Sequence, residues 1–173
     1  QRLSDYRVLP LLDDMNNWIA KTALQPKYLL AITETYFKSP GDDIYANGPV
    51  SYLKMDELPQ GNDYSNIIQT LADGDYFVTS GEVLIPSVEH DINGVNSKVV
   101  ANVSWTFPLK FVEVVYGDGE NTFYETVSAQ DLLPFGEQTF TIPFDAADKY
   151  WVRFAAWDSA GNGAVTMPIR INN

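Results

Sequence analysis

Apolar and polar residues alternate along most of the second half of the chain. From Val99 to Phe107 every other residue is apolar, and Asn102, Ser104 and Thr106 are the polar residues between them. That spacing is typical of a strand with one buried face. Similar β-rich runs are predicted at residues 82–88, 110–116, 123–128, 140–144, 152–156 and 165–171. Pro143 removes a backbone donor from one run, which predicts that this strand lies at a sheet edge.

Turn residues separate these runs at the spacing expected of short antiparallel strands. Gly117-Asp118-Gly119 favours a hairpin because glycine tolerates a positive φ. The pattern predicts an immunoglobulin-like β-sandwich of about seven strands over residues 82–173.

The first 81 residues have a different pattern. Leu9–Thr22 and Tyr64–Asp73 are predicted helices, the second ended by Gly74, and residues 28–37 and 75–80 are predicted strands. Breaker residues predict loops at 39–43 and 46–49. We therefore expect an α+β protein with a short α/β segment at residues 1–81 before the sandwich.

The turn Asp158-Ser-Ala-Gly-Asn-Gly163 joins two apolar runs. A phosphate loop would lead into a helix, whereas a strand follows here. A plain hairpin turn is the favoured interpretation. A calcium site, with oxygens from Asp158, Asn162 and Asp118, is the alternative.

Composition excludes several function classes. The net charge is −12 with only 11 scattered Lys and Arg residues, which argues against nucleic acid and anionic membrane surfaces. No apolar run approaches the roughly 18 residues of a membrane span.

Cysteine is absent and His90 is the sole histidine, so the usual zinc sites and a Cys nucleophile are excluded. No Gly-x-Ser-x-Gly motif accompanies His90. We predict no catalytic residue, no metal ligand and no cofactor in this chain.

Acidic residues are the remaining candidates for ligand contact. Neighbouring acids on a helix point in different directions, so Asp13 and Asp14 would not jointly hold one ion. Solvated surface charge is the favoured interpretation. The alternative is that Asp13, Glu34 or Glu82 lines a site completed by other segments.

Trp151, Arg153 and Trp157 lie on the strand face opposite Val152, Phe154 and Ala156. Two indoles and a guanidinium on one face favour an interface covered by another part of the protein or by a partner. A carbohydrate-stacking platform or a cation–π cluster is an alternative. A third possibility is that a bulge turns one indole into the sandwich core.

Four stretches together resemble the C-terminal end of PHP-like metal-dependent hydrolases of the CehA/McbA type. They are "LPLLDDMNNWIAKT" (9–22), "DGDYFVTSGEVLIP" (73–86), "VSWTFPLKFVEVVYGDG" (103–119) and "YWVRFAAWDSAGNGAVTMPIRIN" (150–172). The resemblance implies that residues 1–81 complete a metallohydrolase barrel. It also implies that Glu34 and Glu82 approach the barrel mouth and that a divalent metal belongs to the parent protein. The family's His-x-His motif is absent from this chain.

The resemblance implies a non-catalytic C-terminal portion of an exported bacterial hydrolase, located in the periplasm or secreted. Its partner would be the upstream barrel domain of the same protein. The start at Gln1 agrees with a processed exported protein or a piece of a longer one. The alternative function is a cell-surface module that binds glycan or a partner. A third is a hydrolase whose metal is held by Asp13, Glu34 and Glu82.

Overall fold

The computed structural model describes residues 28–31 and 49–171. Within these ranges the regular elements are mostly strands, with one α-helix and one 3-10 turn. They are β1 (Val50–Leu53), α1 (Ser65–Asp73), β2 (Tyr76–Thr79), β3 (Val83–Asp91), a 3-10 turn (Gly94–Asn96), β4 (Ser97–Trp105), β5 (Leu109–Gly117), β6 (Thr122–Ser128), β7 (Gly136–Phe144), β8 (Trp151–Asp158), β9 (Gly163–Thr166) and β10 (Ile169–Arg170).

The strands form two antiparallel sheets of unequal size. The larger has the order β1-β2-β9-β8-β5-β6, with β10 also paired to β8, and the smaller has the order β3-β4-β7. The expected antiparallel β structure is confirmed in this coarse form. The α+β class with two helices is not confirmed, because the described ranges contain only α1 besides the strands and the 3-10 turn.

The two sheets pack on a shared apolar core. The alternation along β4 is confirmed, since Val99, Ala101, Val103 and Trp105 are all buried. From the larger sheet, the core receives Leu109, Val112, Val114, Tyr116, Val152, Phe154, Ala156 and Ala164, among others. Phe107 lies beyond the end of β4 and is exposed, because the strand stops before Pro108.

Pro143 lies on an edge strand, as the sequence predicts. β7 pairs only with β4, and Pro143 stands opposite Lys98 in that ladder. The missing N–H of a proline leaves no gap in hydrogen bonding when that side of the strand has no neighbour.

The run predicted as one strand at 165–171 is divided at Pro168. Residues 163–165 and 169–170 pair with β8 in registers that differ by one residue. Such a shift turns the following side chains to the other face of a sheet. Val165 and Met167 accordingly belong to clusters on the outer face, whereas Ile169 and Ile171 pack with the core between the sheets.

At this break a side-chain hydroxyl replaces the backbone groups that would otherwise pair with Phe154. The Thr166 hydroxyl accepts a hydrogen bond from the Phe154 N–H at 2.9 Å and donates one to the Phe154 carbonyl at 3.2 Å. Both backbone groups of this buried residue therefore keep a partner where the strand pairing is interrupted.

The predicted helix at 64–73 and strand at 75–80 are present as α1 and β2. Gly74 ends the helix in the left-handed conformation, with φ 78°, and its N–H donates to the Thr70 carbonyl. The predicted helix Leu9–Thr22 lies outside the described residues. So does most of the predicted strand at 28–37, and its described part, residues 28–31, is not in a strand.

The proposed division between residues 81 and 82 stays a prediction. β1 pairs with β2, and β2 pairs with β9, so these two strands from the first part extend the larger sheet. In the described ranges, the two parts are therefore joined by a continuous hydrogen-bonded ladder.

Gly136 is expected to be intolerant of any side chain. A Cβ at this position would overlap the indole of Trp105. That ring is 6 % exposed and is held by a hydrogen bond from its Nε1 to the Leu133 carbonyl at 2.8 Å. We expect Gly136→Ala to lower the free energy of unfolding by about 1–3 kcal/mol, measured by urea denaturation.

A double-mutant cycle with Trp105→Phe provides the control. The smaller ring makes room for the new methyl group, so the two changes together should cost less than their sum. An additive result would contradict the steric explanation.

Candidate functional site

A cleft of about 410 Å³ opens where the larger sheet extends past the smaller one. β3 is the edge strand of the smaller sheet and lies against β9. The larger sheet continues beyond β9 through β2 to β1. The inner face of this two-stranded extension and the edge of β3 form the two walls of the cleft.

Aromatic rings form part of the wall on the larger sheet. Tyr52 and Phe77 are directly opposite each other in the β1–β2 ladder, and their rings stack with centroids 5.2 Å apart and planes 13° apart. Phe77 packs partly on the core, whereas Tyr52 is 47 % exposed. The remaining apolar lining includes Ile85, Pro86, Val88, Met167 and Ile169.

His90 is the titratable side chain that reaches this cleft from β3. It pairs with Val99, and its Nε2 is buried without a hydrogen-bond partner. Burial lowers the pKa of His90 to about 4, so the ring is neutral near pH 7. The ring therefore contributes an uncharged surface to the cleft, while its Nε2 is buried out of reach of a ligand. The expectation that His90 is not catalytic stays a prediction.

Trp151, Arg153 and Trp157 share one face of β8, as expected. Their exposed fractions are 2 %, 1 % and 3 %. Leu29 and Phe111 pack against the cluster that contains Trp157. The Trp157 Nε1 donates to the Glu113 carboxylate at 3.0 Å. Neither indole belongs to the core between the sheets, which holds the opposite face of the strand.

Residues 158–163 form a hairpin turn between β8 and β9. The carboxylate of Asp158 accepts hydrogen bonds from the backbone N–H groups of Ala160, at 2.9 Å, and Asn162, at 2.7 Å. It also accepts one from the Asn162 side-chain amide at 2.8 Å. The turn's own donors therefore occupy the carboxylate that the calcium hypothesis requires.

Asp118 does not converge with this turn. Leu109 stands opposite Asp158, and Gly117 stands opposite Trp151, so Asp118 follows the far end of β5. At ~3.3 Å per residue the two ends of β5 are about 26 Å apart. Asp118 instead shapes its own hairpin, where its Oδ1 accepts from the backbone N–H groups of Glu120 and Asn121. These hydrogen bonds lower its pKa.

The other acidic candidates are only partly described. Asp13 and Glu34 lie outside the described residues. Glu82 is half-buried just before β3, and its carbonyl accepts a hydrogen bond from the Thr106 N–H. Within residues 28–31 and 49–171, no group of three or more His, Asp or Glu side chains could hold a metal ion. Convergence of the three acids stays a prediction.

Comparison with protein-family models, with curated proteins and with solved structures found no match to this chain. Separately, no helix among the described residues has the length and apolar character needed to cross a membrane. The site must therefore be interpreted from its own geometry.

The cleft could not be predicted from the sequence. Its walls come from β1, the turn after α1, β2, β3 and the segment around Pro168, which are far apart in the chain. The aromatic pair depends on the register between β1 and β2, and residues 46–49 were predicted as a loop without a strand after it. The one available signal was Tyr52 within the short apolar run "VSYL".

His90 is expected to make stability depend on pH. Its folded pKa of about 4 lies below the ordinary 6.5, so the unfolded chain takes up the proton first as the pH falls. The stabilising contribution is complete above about pH 6.5, is lost as the pH falls towards 4, and does not change further below that. The lost part amounts to about 3 kcal/mol at most.

Urea denaturation between pH 7 and pH 4 tests this, with His90→Gln as the comparison. The variant should lose less stability over this interval than the parent, since only the parent carries the buried imidazole. Parallel curves for the two proteins would contradict the assignment. An NMR titration of the single histidine gives an independent value of the pKa.

Proposed function

We propose that this chain is a non-catalytic structural module, an immunoglobulin-like β-sandwich that packs through the outer face of its larger sheet. The observation that carries the proposal is the burial of β8 along its whole length, on both faces. A central strand of a two-sheet domain needs one apolar face for its core. A second buried face indicates that the sheet is covered on its outer side as well.

The strand order supports the immunoglobulin-like assignment. Counted from β3, the first, second and fifth strands form one sheet, and the third, fourth, sixth and seventh belong to the other. Antibody constant domains have the same division except that their fourth strand pairs with the fifth. In this chain β6, the fourth, pairs with β5. Related sandwiches share the architecture without an identical topology.

The outer face has the composition of a packing surface. Its apolar clusters contain Tyr76, Val78, Val115, Ala155, Val165 and Met167 besides the two indoles. Residues 28–31 contribute to its cover: Leu29 packs on this face, and the Tyr76 hydroxyl donates to the Leu29 carbonyl at 3.0 Å. The segment before the sandwich is therefore the partner that this face fits best.

We further propose that the module belongs to an exported PHP-like hydrolase, with the divalent metal held by a barrel domain that precedes it. The support is the resemblance of the four stretches, whereas the absence of the family's His-x-His motif is a departure from its pattern. The upstream reading frame tests it directly. A His-x-His motif encoded there would support the proposal, and a signal peptide directly before Gln1 would refute it.

The packing role predicts that Trp157 acts on stability. Trp157→Phe removes the donor of the buried Glu113 carboxylate, and an unpaired buried acceptor costs about 1–3 kcal/mol beyond the lost packing. Trp151→Phe is the matched control, because the Trp151 Nε1 is buried without a hydrogen-bond partner. We expect urea denaturation to give the larger loss for Trp157→Phe. Equal losses would contradict the role of the hydrogen bond.

Glycan recognition predicts a different result. A sugar stacks on an accessible indole face, and these two indoles are 2 % and 3 % exposed. We expect no saturable change in tryptophan fluorescence when soluble polysaccharides are titrated into the protein. A saturable change that Trp157→Ala abolishes, in a variant still folded by circular dichroism, would instead support the glycan-binding alternative.

A further inference from the structure

The aromatic wall of the cleft beside β3 lies on the opposite side of the larger sheet from the packing face, although Tyr76 and Met167 of the outer cluster also contribute to the lining. Phe77 points from β2 toward the core between the sheets, whereas its neighbours Tyr76 and Val78 belong to the outer cluster. The proposed packing role therefore leaves the aromatic wall of the cleft and the edge of β3 unused. Its volume of about 410 Å³ falls within the range of ~300–1,000 Å³ that is usual for small-molecule sites.

The edge of β3 is poorly suited to a peptide strand. The register of the β3–β4 ladder shifts between Leu84 and Ser87, and Pro86 lies within this irregularity without a backbone donor. Strand addition requires an uninterrupted row of N–H and C=O groups on the edge. The occupant that the cleft fits is therefore a compact molecule rather than an extended chain.

The lining offers few hydrogen bonds to a ligand. The Thr166 hydroxyl is already bonded to both backbone groups of Phe154. Lys54 and Asp75 are exposed residues of the lining, and Ser87 lies on the exposed part of β3. A sugar, which carries a hydroxyl on most carbons, would exchange hydrogen bonds to water for contact with a lining that is mostly apolar. An aromatic ligand with few polar groups gives up few hydrogen bonds to water when it enters the cleft.

The aromatic rings of the cleft wall can attract an aromatic ligand by stacking. The Tyr52–Phe77 stack is already formed, and nearly half of the Tyr52 side chain remains exposed. A planar ring can extend an existing stack without ordering new side chains. The His90 ring also lines the cleft, but its Nε2 is fully buried, so a ligand meets the ring and not this nitrogen.

We propose that the cleft between β1–β2 and β3 binds a planar aromatic molecule of one or two rings with few polar groups. The ring lies in the cleft against the Tyr52–Phe77 stack, and the His90 ring forms part of the same lining. Binding is non-covalent and involves no chemical step.

The test uses 2-naphthol as the probe and the NMR signals of the His90 ring as the reporter, since no other histidine contributes. We expect saturable shifts of these signals on titration, and at least fivefold weaker binding by Tyr52→Ala. Tyr124→Ala is the matched control, because this tyrosine is 45 % exposed on β6, at the opposite edge of the larger sheet. It should bind as the parent does.

Two further measurements keep the outcome clear. If circular dichroism finds Tyr52→Ala unfolded, Tyr52→Leu replaces it, since leucine keeps an apolar side chain on the strand but removes the ring. His90→Phe, followed by 2-naphthol fluorescence, should change binding by less than about twofold, because the buried Nε2 offers the ligand no hydrogen bond and phenylalanine keeps a ring in the lining. Absence of saturable shifts, equal weakening by Tyr124→Ala, or saturation by methyl α-glucoside in place of 2-naphthol would each overturn the proposal.

Discussion

The double burial of β8 is the constraint on which the rest of the structure depends. Val152, Phe154 and Ala156 complete the core between the sheets, while the alternate side chains, from Trp151 to Trp157, are buried on the outer side. A polar group on a strand buried on both faces costs free energy unless it is hydrogen-bonded within the protein, because water is excluded from each side. The bond to Glu113 removes this cost for the Trp157 indole, whereas the Trp151 Nε1 on the same face has no hydrogen-bond partner.

The unequal width of the two sheets produces the cleft. Three strands cannot cover the sheet that contains β1, β2 and β9, so the inner face of β1 and β2 extends past the edge of β3. The cleft is the space left by this mismatch, and its chemistry is set by the residues on the uncovered strands. The packing face and the aromatic wall of the cleft consequently use opposite sides of the same β2 strand.

The strands between residues 82 and 173 could be predicted because their apolar periodicity, turns and Pro143 all favour the same structure. The β4 alternation and the edge position of β7 follow from local rules alone. The break at Pro168 and the pairing of β2 with β9 could not be predicted from the sequence, since both depend on partners distant in the chain. The cleft was invisible for the same reason, because its aromatic stack exists only in the observed register.

Both margins of the three-stranded sheet carry a proline, Pro86 on β3 and Pro143 on β7. Unprotected strand margins are templates on which further chains can assemble, and proline is one of the residues that prevent this. Each of these prolines is exposed, and Pro86 also coincides with an irregular register. Each edge of the narrow sheet is thus interrupted at one position, which hinders the addition of a further strand on either side.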